Sequence, residues 1–341
     1  MKKGTKLFLW ILLALFLVLL VGFGIFIYIH GNTKPYSVPE DVHEAVVSQR
    51  VDKGAGEVRV MSSNLLVYYK SWHGSSSEKI RKTDARPRYK IYEDVLKTYK
   101  PDVVGLQEVC DRWYHCLMRN KLQYKFVQLV KTAFHVRLTN LMYNADTTEL
   151  LECGDMAYTE KDNPRLRCIV WGLFRDKATG QEYIVTSTHL NLIREDQEAT
   201  LNIMQAQRDE FLKASECLKE KYGVPIYHTG DYNAVNNIEN WTELYETSTP
   251  EELAEYEKNE TYYRNAQAPS IYTDIAAVLP DAKGMAKNYS FAGTTTVETP
   301  TYDHIFVNGT TEIERYVAIS NPKLMQMSDH YSIFIDAKAD A

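Results

Sequence analysis

Cysteine is scarce in this chain, and its spacing excludes one class of metal site. There are five cysteines in 341 residues, and no two of them form a C-x-x-C pair. A structural zinc site built on paired cysteines is therefore not expected. Cys110 is close to Cys116 in sequence, and Cys153 and Cys168 are expected on adjacent strands, but the odd count leaves at least one thiol free. Buried free cysteine is the alternative for all five, so no disulfide is predicted.

Positive charge is also scarce, which limits the kind of partner. Lysine and arginine total 39 against 45 acidic residues, a formal charge of −6. Three lysines precede residue 7, so the chain from residue 31 onward has 36 basic and 45 acidic residues and a charge of −9. Binding along a nucleic acid needs many cations, so long nucleic acid is disfavoured, whereas a small phosphoester is not. The local basic residues that would favour a nucleic acid are Arg81, Lys82, Arg86 and Arg88.

Charge is absent altogether from Leu7 to Ile29, a run of 23 residues that follows Lys2, Lys3 and Lys6. As a helix this run is about 35 Å long, enough to cross a bilayer. A cleaved signal peptide is the alternative, but it would have a shorter apolar run and small residues at its cleavage site. We expect a transmembrane anchor over 7–29 and, because lysines stay inside, a cytoplasmic tail over 1–6. The protein is then a single-pass cell-membrane protein whose remaining chain faces outward.

No internal repeat of fixed period is present, and two regions follow the anchor. Residues 30–56 contain prolines and glycines without a sustained apolar period, and they are interpreted as a linker with a short helix near 42–49. Residues 57–341 are expected to form one domain. Its expected strands lie near 57–66, 102–109, 125–130, 137–143, 148–152, 167–174, 182–189, 224–228, 302–307, 313–320 and 327–335, and its main helices near 87–99, 195–222 and 270–279.

Polar residues lie at the ends of six of these apolar strands. Asp231 and Asn233 are two residues apart, so on an extended backbone they point the same way, although ordinary turn chemistry is the alternative. Glu108 ends a buried strand and needs a cation, either a Lys or Arg in a salt bridge or a metal ion. His189, taken alone, is interpreted as a hydrogen-bonded structural histidine. The full set comprises Asn64, Glu108, His189, Asp231 with Asn233, Asp303, and Asp329 with His330.

The order and surroundings of these residues resemble the endonuclease/exonuclease/phosphatase superfamily, which includes deoxyribonuclease-like nucleases, neutral sphingomyelinases and inositol polyphosphate 5-phosphatases. The motifs are Ser-Asn-Leu, Leu-Gln-Glu-Val, Thr-His-Leu, Gly-Asp-Tyr-Asn, Tyr-Asp-His-Ile-Phe-Val and Ser-Asp-His, in that order within residues 57–337. Each motif alone has little specificity for the family, and the resemblance rests on all six occurring in this order. The resemblance implies a four-layered α/β sandwich in which two mostly antiparallel β-sheets are flanked by helices.

The resemblance also implies phosphoester hydrolysis with Mg²⁺ or Mn²⁺. It makes Glu108 the main metal ligand, with Asn64 nearby and Asp329 contributing, because hard cations prefer oxygen ligands. Many members carry a carboxylate two residues after the first Asn. That position is Leu66 here, so the resemblance does not extend to a second metal site.

Five residues receive catalytic roles from the resemblance. Asp231 would orient or deprotonate the attacking water, and Asn233 would hold that water or a phosphoryl oxygen. His330, oriented by Asp303, would contact the phosphoryl group. His189 would donate to another phosphoryl oxygen or assist the leaving group. Such groups neutralise charge and position the nucleophile for in-line displacement.

Two further residues are candidate substrate contacts: Arg88, which resembles an arginine common in this helix of the family, and Tyr143 at a strand end. A surface charge is the alternative for Arg88. The sequence thus predicts a membrane-anchored, outward-facing, metal-dependent phosphodiesterase or phosphatase, a monomer acting on a lipid headgroup or small phosphoester. The alternatives are an extracellular endonuclease or exonuclease and a catalytically inactive binding module on the same fold. Completeness of the six motifs favours an enzyme.

Overall fold

A computed structural model of the chain describes residues 10–22, 37–68, 84–127, 137–161, 166–192, 197–235, 249–250, 269–290 and 301–339. Residues 10–22 are helical, and their large apolar side chains are exposed. Across these ranges, no helix is both long and apolar enough to cross a membrane. The predicted span over 7–29 extends beyond the described helix at both ends. The chain from Val38 onward forms one compact unit.

Two mixed β-sheets form the centre of this unit. The strands within the described ranges are β1 (Val58–Asn64), β2 (Val103–Gln107), β3 (Tyr124–Phe126), β4 (Asn140–Asn144), β5 (Thr148–Ala157), β6 (Cys168–Asp176), β7 (Glu182–His189), β8 (Ile226–Asp231), β9 (Asn288–Ser290), β10 (Asp303–Asn308), β11 (Thr311–Ala318) and β12 (Ile333–Ala339). One sheet has the order β3-β4-β2-β1-β12-β11-β9, and the other has the order β10-β8-β7-β6-β5. The pairs β1–β2, β9–β11 and β7–β8 are parallel, and the other pairs are antiparallel.

Helices cover the outer face of each sheet. They are α1 (Glu40–Val47), α2 (Ala85–Tyr99), α3 (Asp111–Met118), α4 (Gln197–Tyr222), α5 (Pro269–Ala276), α6 (Ala282–Met285) and a 3₁₀ helix over Pro322–Gln326. One apolar cluster lies between α1–α3 and the seven-stranded sheet, a second lies between the sheets, and a third packs α4 and α5 on the five-stranded sheet. The order of layers is therefore helix, sheet, sheet, helix. Representative members are Tyr92, Trp113 and Phe334 in the first cluster, Val60, Tyr227 and Ile305 in the second, and Phe211, Ile275 and Phe306 in the third.

The two sheets are in close contact where β2 crosses β8. A Cβ on Gly105 would lie 1.7 Å from the side-chain oxygen of Thr229, which no packing tolerates. Beyond this contact, Gln107 Nε2 donates to Ser187 Oγ across the interface at 3.0 Å. Glycine is required at this position because any side chain would push the sheets apart.

The predicted domain start and one helix need correction. The interval interpreted as a linker contains α1, whose Val42, Ala45 and Val46 are buried in the first apolar cluster. The domain therefore begins near Val38 rather than at residue 57. Helix α3 was not predicted, because its eight residues carry only two buried apolar positions. The strands predicted near 167–174 and 182–189 are confirmed as β6 and β7, which pair as an antiparallel hairpin, and all five cysteines are free thiols.

Candidate active site

The polar strand ends converge because of strand alternation. Asn64, His189, Asp231 and Asp303 each lie an even number of residues from an apolar residue of the core between the sheets. Their side chains therefore point into the same inter-sheet space. Within the five-stranded sheet, Asp231 pairs directly with His189 on one side and with Asp303 on the other. The apolar residues that share these faces are Val60, Val185, Tyr227 and Ile305.

Asp231 is at the centre of the cluster. Its Oδ1 accepts from the backbone amide of Asn233 at 3.0 Å. Its Oδ2 accepts from Asn64 Nδ2 at 2.9 Å and lies 3.3 Å from His189 Nε2 and 3.8 Å from His330 Nε2. Burial raises the pKa of Asp231 to about 7, the nearby Asp303 adds to this, and His330 and the two hydrogen bonds oppose it. A carboxyl group with a pKa near neutrality is suited to accept a proton at neutral pH.

His330 forms a buried pair with Asp303. The ring Nδ1 donates to Asp303 Oδ2 at 2.7 Å, so the other ring nitrogen faces Asp231. Burial alone would lower the pKa of His330, but Asp303, Asp231 and Asp329 together hold it well above its ordinary value. His330 is therefore a cation at neutral pH, with an N–H directed into the cluster. A fixed cation of this kind stabilises charge on a phosphoryl group.

His189, unlike His330, has an uncharged ring. Burial, with Arg167 and His330 nearby, holds the pKa of His189 well below its ordinary value, so the ring is neutral. Its Nδ1 is buried and, among the described residues, has no hydrogen-bond partner. The nitrogen that faces the cluster, Nε2, lies against Asp231. This geometry supports an orienting role toward Asp231, and the predicted contact with a phosphoryl oxygen or leaving group stays a prediction.

Glu108 and Asn64 form the other side of the cluster. Glu108 Oε1 lies 3.4 Å from Asn64 Nδ2, and Oε2 accepts from the amide of Val67 at 2.8 Å. In the part of the chain that the structure describes, no Lys or Arg pairs with this half-buried carboxylate. The salt-bridge alternative for Glu108 therefore finds no support there. Asn64 Oδ1 accepts from the amide of Leu66 at 3.0 Å.

Two groups of side chains are candidate ligands for a metal ion. Single ligand atoms of Asp231, Asp303 and His330 lie within 4.8 Å of one another. That group already carries its own cation in His330, and a protonated imidazole has no lone pair for a metal. Glu108, with Asn64 beside it, is the better site because its negative charge has no cation among the described residues. Asp329 is half-buried and close enough to His330 to help raise the pKa of that ring.

The predicted substrate contacts lie elsewhere. Tyr143 pairs with Val103 at the start of β2, and its ring packs on Phe174 at 5.7 Å between centroids. Glu108 follows the other end of β2, roughly 16 Å away at 3.3 Å per residue, so this geometry gives the predicted substrate contact of Tyr143 no support. Arg88 is not a surface charge, since it is 1% exposed. Its guanidinium donates to the backbone carbonyls of Met327 and Leu66, so the structure supplies no substrate contact for it.

Three residues near the cluster were missed by sequence reasoning. Arg167 is buried and donates to the carbonyls of His189 and Leu190, behind the end of β7. Ser328 Oγ donates to the carbonyl of Asn64 at 2.7 Å and accepts from the amide of His330 at 3.2 Å. Asn140 pairs with Leu106 and so reaches the site end of β4. Ser328 could have been found from the sequence, because it is the first residue of the Ser-Asp-His motif. No local pattern distinguishes Arg167 or Asn140.

A cavity of about 650 Å³ lies on the other face of β10 from Asp303. His304 forms its back wall, with Nδ1 bonded to Asp281 at 2.9 Å and Nε2 to the carbonyl of Ala234 at 3.0 Å. None of the cluster residues is among the described residues that line it. The cavity is therefore separate from the acidic cluster. Its described lining is Tyr272, Ala276, Pro280, Asp281, Lys283, Gly284, Met285, Tyr289, Thr301 and His304.

The sequence matches a family model described as "Endonuclease/Exonuclease/phosphatase family" over residues 61–330. The chain belongs to this family. The match includes every residue of the cluster, from Asn64 to His330. Members of this family are typically hydrolases that act on phosphoester bonds, and divalent metals are their general cofactors. No curated protein sequence among those compared matches the chain.

Solved structures of the family share the fold. An endonuclease/exonuclease/phosphatase from Bacteroides vulgatus is 18% identical with a TM-score of 0.62, covering 83% of this chain and 99% of that one. The mannosyl-6-phosphatase Bt3783 of Bacteroides thetaiotaomicron is 17% identical with a TM-score of 0.58, covering 82% and 99%. The catalytic domain of human Nocturnin with bound sulfate is 17% identical with a TM-score of 0.57, covering 86% and 98%. At these identities the likeness supports the fold alone.

Proposed function

We propose that this family member is a divalent-metal-dependent phosphoester hydrolase, and that Asp231 is its central catalytic residue. The observation that carries the proposal is the position of Asp231, buried among Asn64, His189 and His330 with its pKa raised to about 7. A purely structural aspartate would be expected to have its charge neutralised by a fixed partner. Here the partners leave the carboxyl group able to exchange a proton at neutral pH.

The residues present suit a hard divalent cation. Glu108 would hold it, with Asn64 nearby and Asp329 contributing, because a half-buried carboxylate without a Lys or Arg partner in the described residues needs a cation. A bound Mg²⁺ or Mn²⁺ would supply charge neutralisation for the phosphoryl oxygens. No carboxylate is present at Leu66 to support a second ion.

Four residues of the cluster have separate roles in the proposed reaction. Asp231 orients the attacking water and accepts its proton. His330, held in its charged form by Asp303, donates from Nε2 to a phosphoryl oxygen. Asn233, fixed by its own Nδ2 bond to the carbonyl of Leu190 at 2.9 Å, holds the water or a phosphoryl oxygen. His189 orients Asp231 from its other side.

A small phosphoester or a lipid headgroup is the proposed substrate class. The net charge of −9 beyond residue 30 does not suit a polyanion. The local basic cluster is also weaker than its sequence indicates, because Arg86 pairs with Asp84 and Arg88 is buried. Arg81 and Lys82 lie outside the described residues. An extracellular nuclease remains the alternative, and DNA as a substrate in the assay below would identify it.

The membrane anchor over 7–29 and the outward orientation are part of this proposal. They rest on the uncharged run and the lysines before it. Cys217 is an exposed thiol, whereas the other four are partly or fully buried, so it is a natural reporter. A membrane-impermeant maleimide should label Cys217 on intact cells, and Cys217→Ser should abolish most of the labelling. Labelling only after the cells are permeabilised would contradict the outward orientation.

The enzyme proposal is tested with the full chain in detergent and bis-p-nitrophenyl phosphate as a generic phosphodiester. Turnover should require Mg²⁺ or Mn²⁺ and stop with EDTA. Asp231→Asn and His330→Ala should each lower turnover at least about a hundredfold. Tyr143→Phe is the matched control and should leave turnover unchanged. A panel of sphingomyelin, inositol phosphates, nucleotides and DNA identifies the substrate class, and no metal-dependent turnover on any of them would refute the proposal.

A further inference from the structure

Two loops build the metal side of the cluster. The first follows Asn64, the last residue of β1, and the amide of Val67 in this loop donates to Glu108 Oε2 at 2.8 Å. The second leads from the 3₁₀ helix to β12 and carries Ser328 and His330. The loops are joined by Ser328, which bonds to the carbonyl of Asn64 and to the amide of His330. The geometry of the cluster therefore depends on how these two loops are held.

Arg88 bonds to both loops from behind. Its Nε donates to the carbonyl of Met327 at 2.7 Å, in the second loop. Its Nη2 donates to the carbonyl of Leu66 at 2.7 Å and to that of Leu65, in the first loop. The side chain is 1% exposed, so these bonds are shielded from water. One guanidinium thus fixes the distance between the two loops.

Trp113 completes this arrangement. Its Nε1 donates to the carbonyl of Leu66 at 3.1 Å, the same oxygen that Arg88 binds. Its ring lies 5.1 Å from the guanidinium carbon of Arg88, within cation–π range. Leu66 itself has a φ of 53°, a left-handed conformation that a leucine adopts only when its surroundings impose it. Its amide donates to Asn64 Oδ1 and its carbonyl accepts from Arg88 and Trp113, so bonds on both sides of the residue hold this conformation.

We propose that Arg88 and Trp113 are positioning residues that set the geometry of Asn64, Glu108 and His330 without touching the substrate. This inference rests on the proposed function for its activity readout. Arginine is suited to the task because its planar group presents several donors in a fixed fork, which one lysine ammonium cannot reproduce. The proposal replaces the role of substrate contact that the sequence predicts for Arg88.

Arg59 provides a matched control. It is a second buried arginine, 2% exposed, and it lies at the start of β1, whereas Arg88 binds the loop at its end. It also donates to a backbone carbonyl, that of Tyr99 at 2.6 Å, and also lies over an aromatic ring, that of Phe334 at 4.4 Å. Losing either arginine removes buried hydrogen bonds, but only Arg88 binds the loops of the cluster.

The experiment compares Arg88→Lys, Arg88→Met, Trp113→Phe and Arg59→Lys in the full chain. Turnover is expressed per folded molecule, with the folded fraction measured by urea unfolding. Arg88→Lys should lower kcat at least about thirtyfold and raise the Mg²⁺ concentration for half-activation at least about fivefold, because the ligands are misplaced. Trp113→Phe should cause a smaller change in the same direction. Arg59→Lys should leave both values within about twofold, whatever its effect on stability.

A readout independent of turnover is amide hydrogen exchange in the metal-free protein. Arg88→Lys should raise the exchange rates of the amides of Leu66, Val67 and His330 at least about tenfold while leaving those of β12 unchanged. If wild type is inactive, this result still supports the positioning role, and only the proposed function fails. Unchanged exchange at these amides in Arg88→Lys, or kcat and Mg²⁺ dependence equal to those of Arg59→Lys, would overturn the inference.

Discussion

The buried pair of Arg59 and Asp336 offers a stringent stability test of the fold. Arg59 Nε and Nη2 donate to the two carboxylate oxygens of Asp336 at 2.6 and 2.8 Å, a bidentate pair. The residues are directly opposite each other on β1 and β12, and both are essentially buried. We compare Arg59→Met, Asp336→Leu and the double variant, which keep the volume roughly constant while removing one charge, the other, or both.

The two single variants should differ because their leftover charges differ. In Arg59→Met, Asp336 keeps a bond from Arg315 Nη1 at 3.1 Å, and Arg315 is 26% exposed. In Asp336→Leu, Arg59 keeps only the carbonyl of Tyr99 and the ring of Phe334. Breaking a buried pair typically costs about 3–5 kcal/mol. We therefore expect about 3 kcal/mol for Arg59→Met and about 5 kcal/mol for Asp336→Leu.

The double variant carries the main information. With both charges gone, no buried charge is left uncompensated within the pair, so most of the loss should be recovered and the coupling should be at least about 2 kcal/mol. The assay is equilibrium urea unfolding followed by tryptophan fluorescence, with m-values compared to confirm two-state behaviour. Additive losses in the double variant, or single losses below about 1 kcal/mol, would refute the inference that this pair is buried and tightly coupled.

Three further predictions concern the sheet interface, acid stability and the cluster. Gly105→Ala should lower the free energy of unfolding by at least about 2 kcal/mol. Adding Thr229→Gly to this variant should recover part of the loss, and urea unfolding measures both. An unchanged midpoint in Gly105→Ala would contradict the close approach of the sheets. Burial lowers the pKa of His228 from 6.5 to about 3, so below pH 6.5 the unfolded chain binds the extra proton and stability falls. From pH 6.5 to 5 the contribution of His228 to this loss should be about 2 kcal/mol, so stability should fall less steeply by that amount in His228→Gln; parallel pH profiles for the two proteins would count against it. Asp303→Asn should lower turnover at least about tenfold while raising the substrate KM, because His330 loses its charged partner; wild-type kinetics would show that the pair is only structural.

The convergence of the cluster could be predicted from the sequence because it depends on local order. A strand that is apolar at alternate positions directs a polar residue at its end to the core side, whereas Asn233 lies in a left-handed turn beyond β8 and not on the strand face. Asn64, Asp231 and Asp303 follow this rule. The rule needs no knowledge of which strand lies beside which.

The positions of Tyr143 and Arg88 relative to the cluster could not be predicted from the sequence, because they depend on strand register and on burial. Tyr143 ends its predicted strand, but β4 is antiparallel to β2, so this end lies opposite the start of β2, far from Glu108. Arg88 sits in an amphipathic helix where an arginine is ordinarily solvated. The loops after β1 and before β12, together with Trp113 of α3, bury it. Neither pairing direction nor loop packing can be read from a local pattern.

Backbone strain is concentrated at the same strand ends that carry the chemistry. Three of the described non-glycine residues with positive φ, Leu66, Glu108 and Asn233, follow β1, β2 and β8 by one or two positions. Two of them make the same turn, in which the amide of the strained residue bonds to the side chain two positions earlier: Leu66 to Asn64 and Asn233 to Asp231, each at 3.0 Å. A conformation that costs about 1–3 kcal/mol per residue persists only when its surroundings require it. The strained turn places a backbone donor on each reactive side chain, so the rigid sandwich fixes the orientation of Asn64 and Asp231 before any substrate binds.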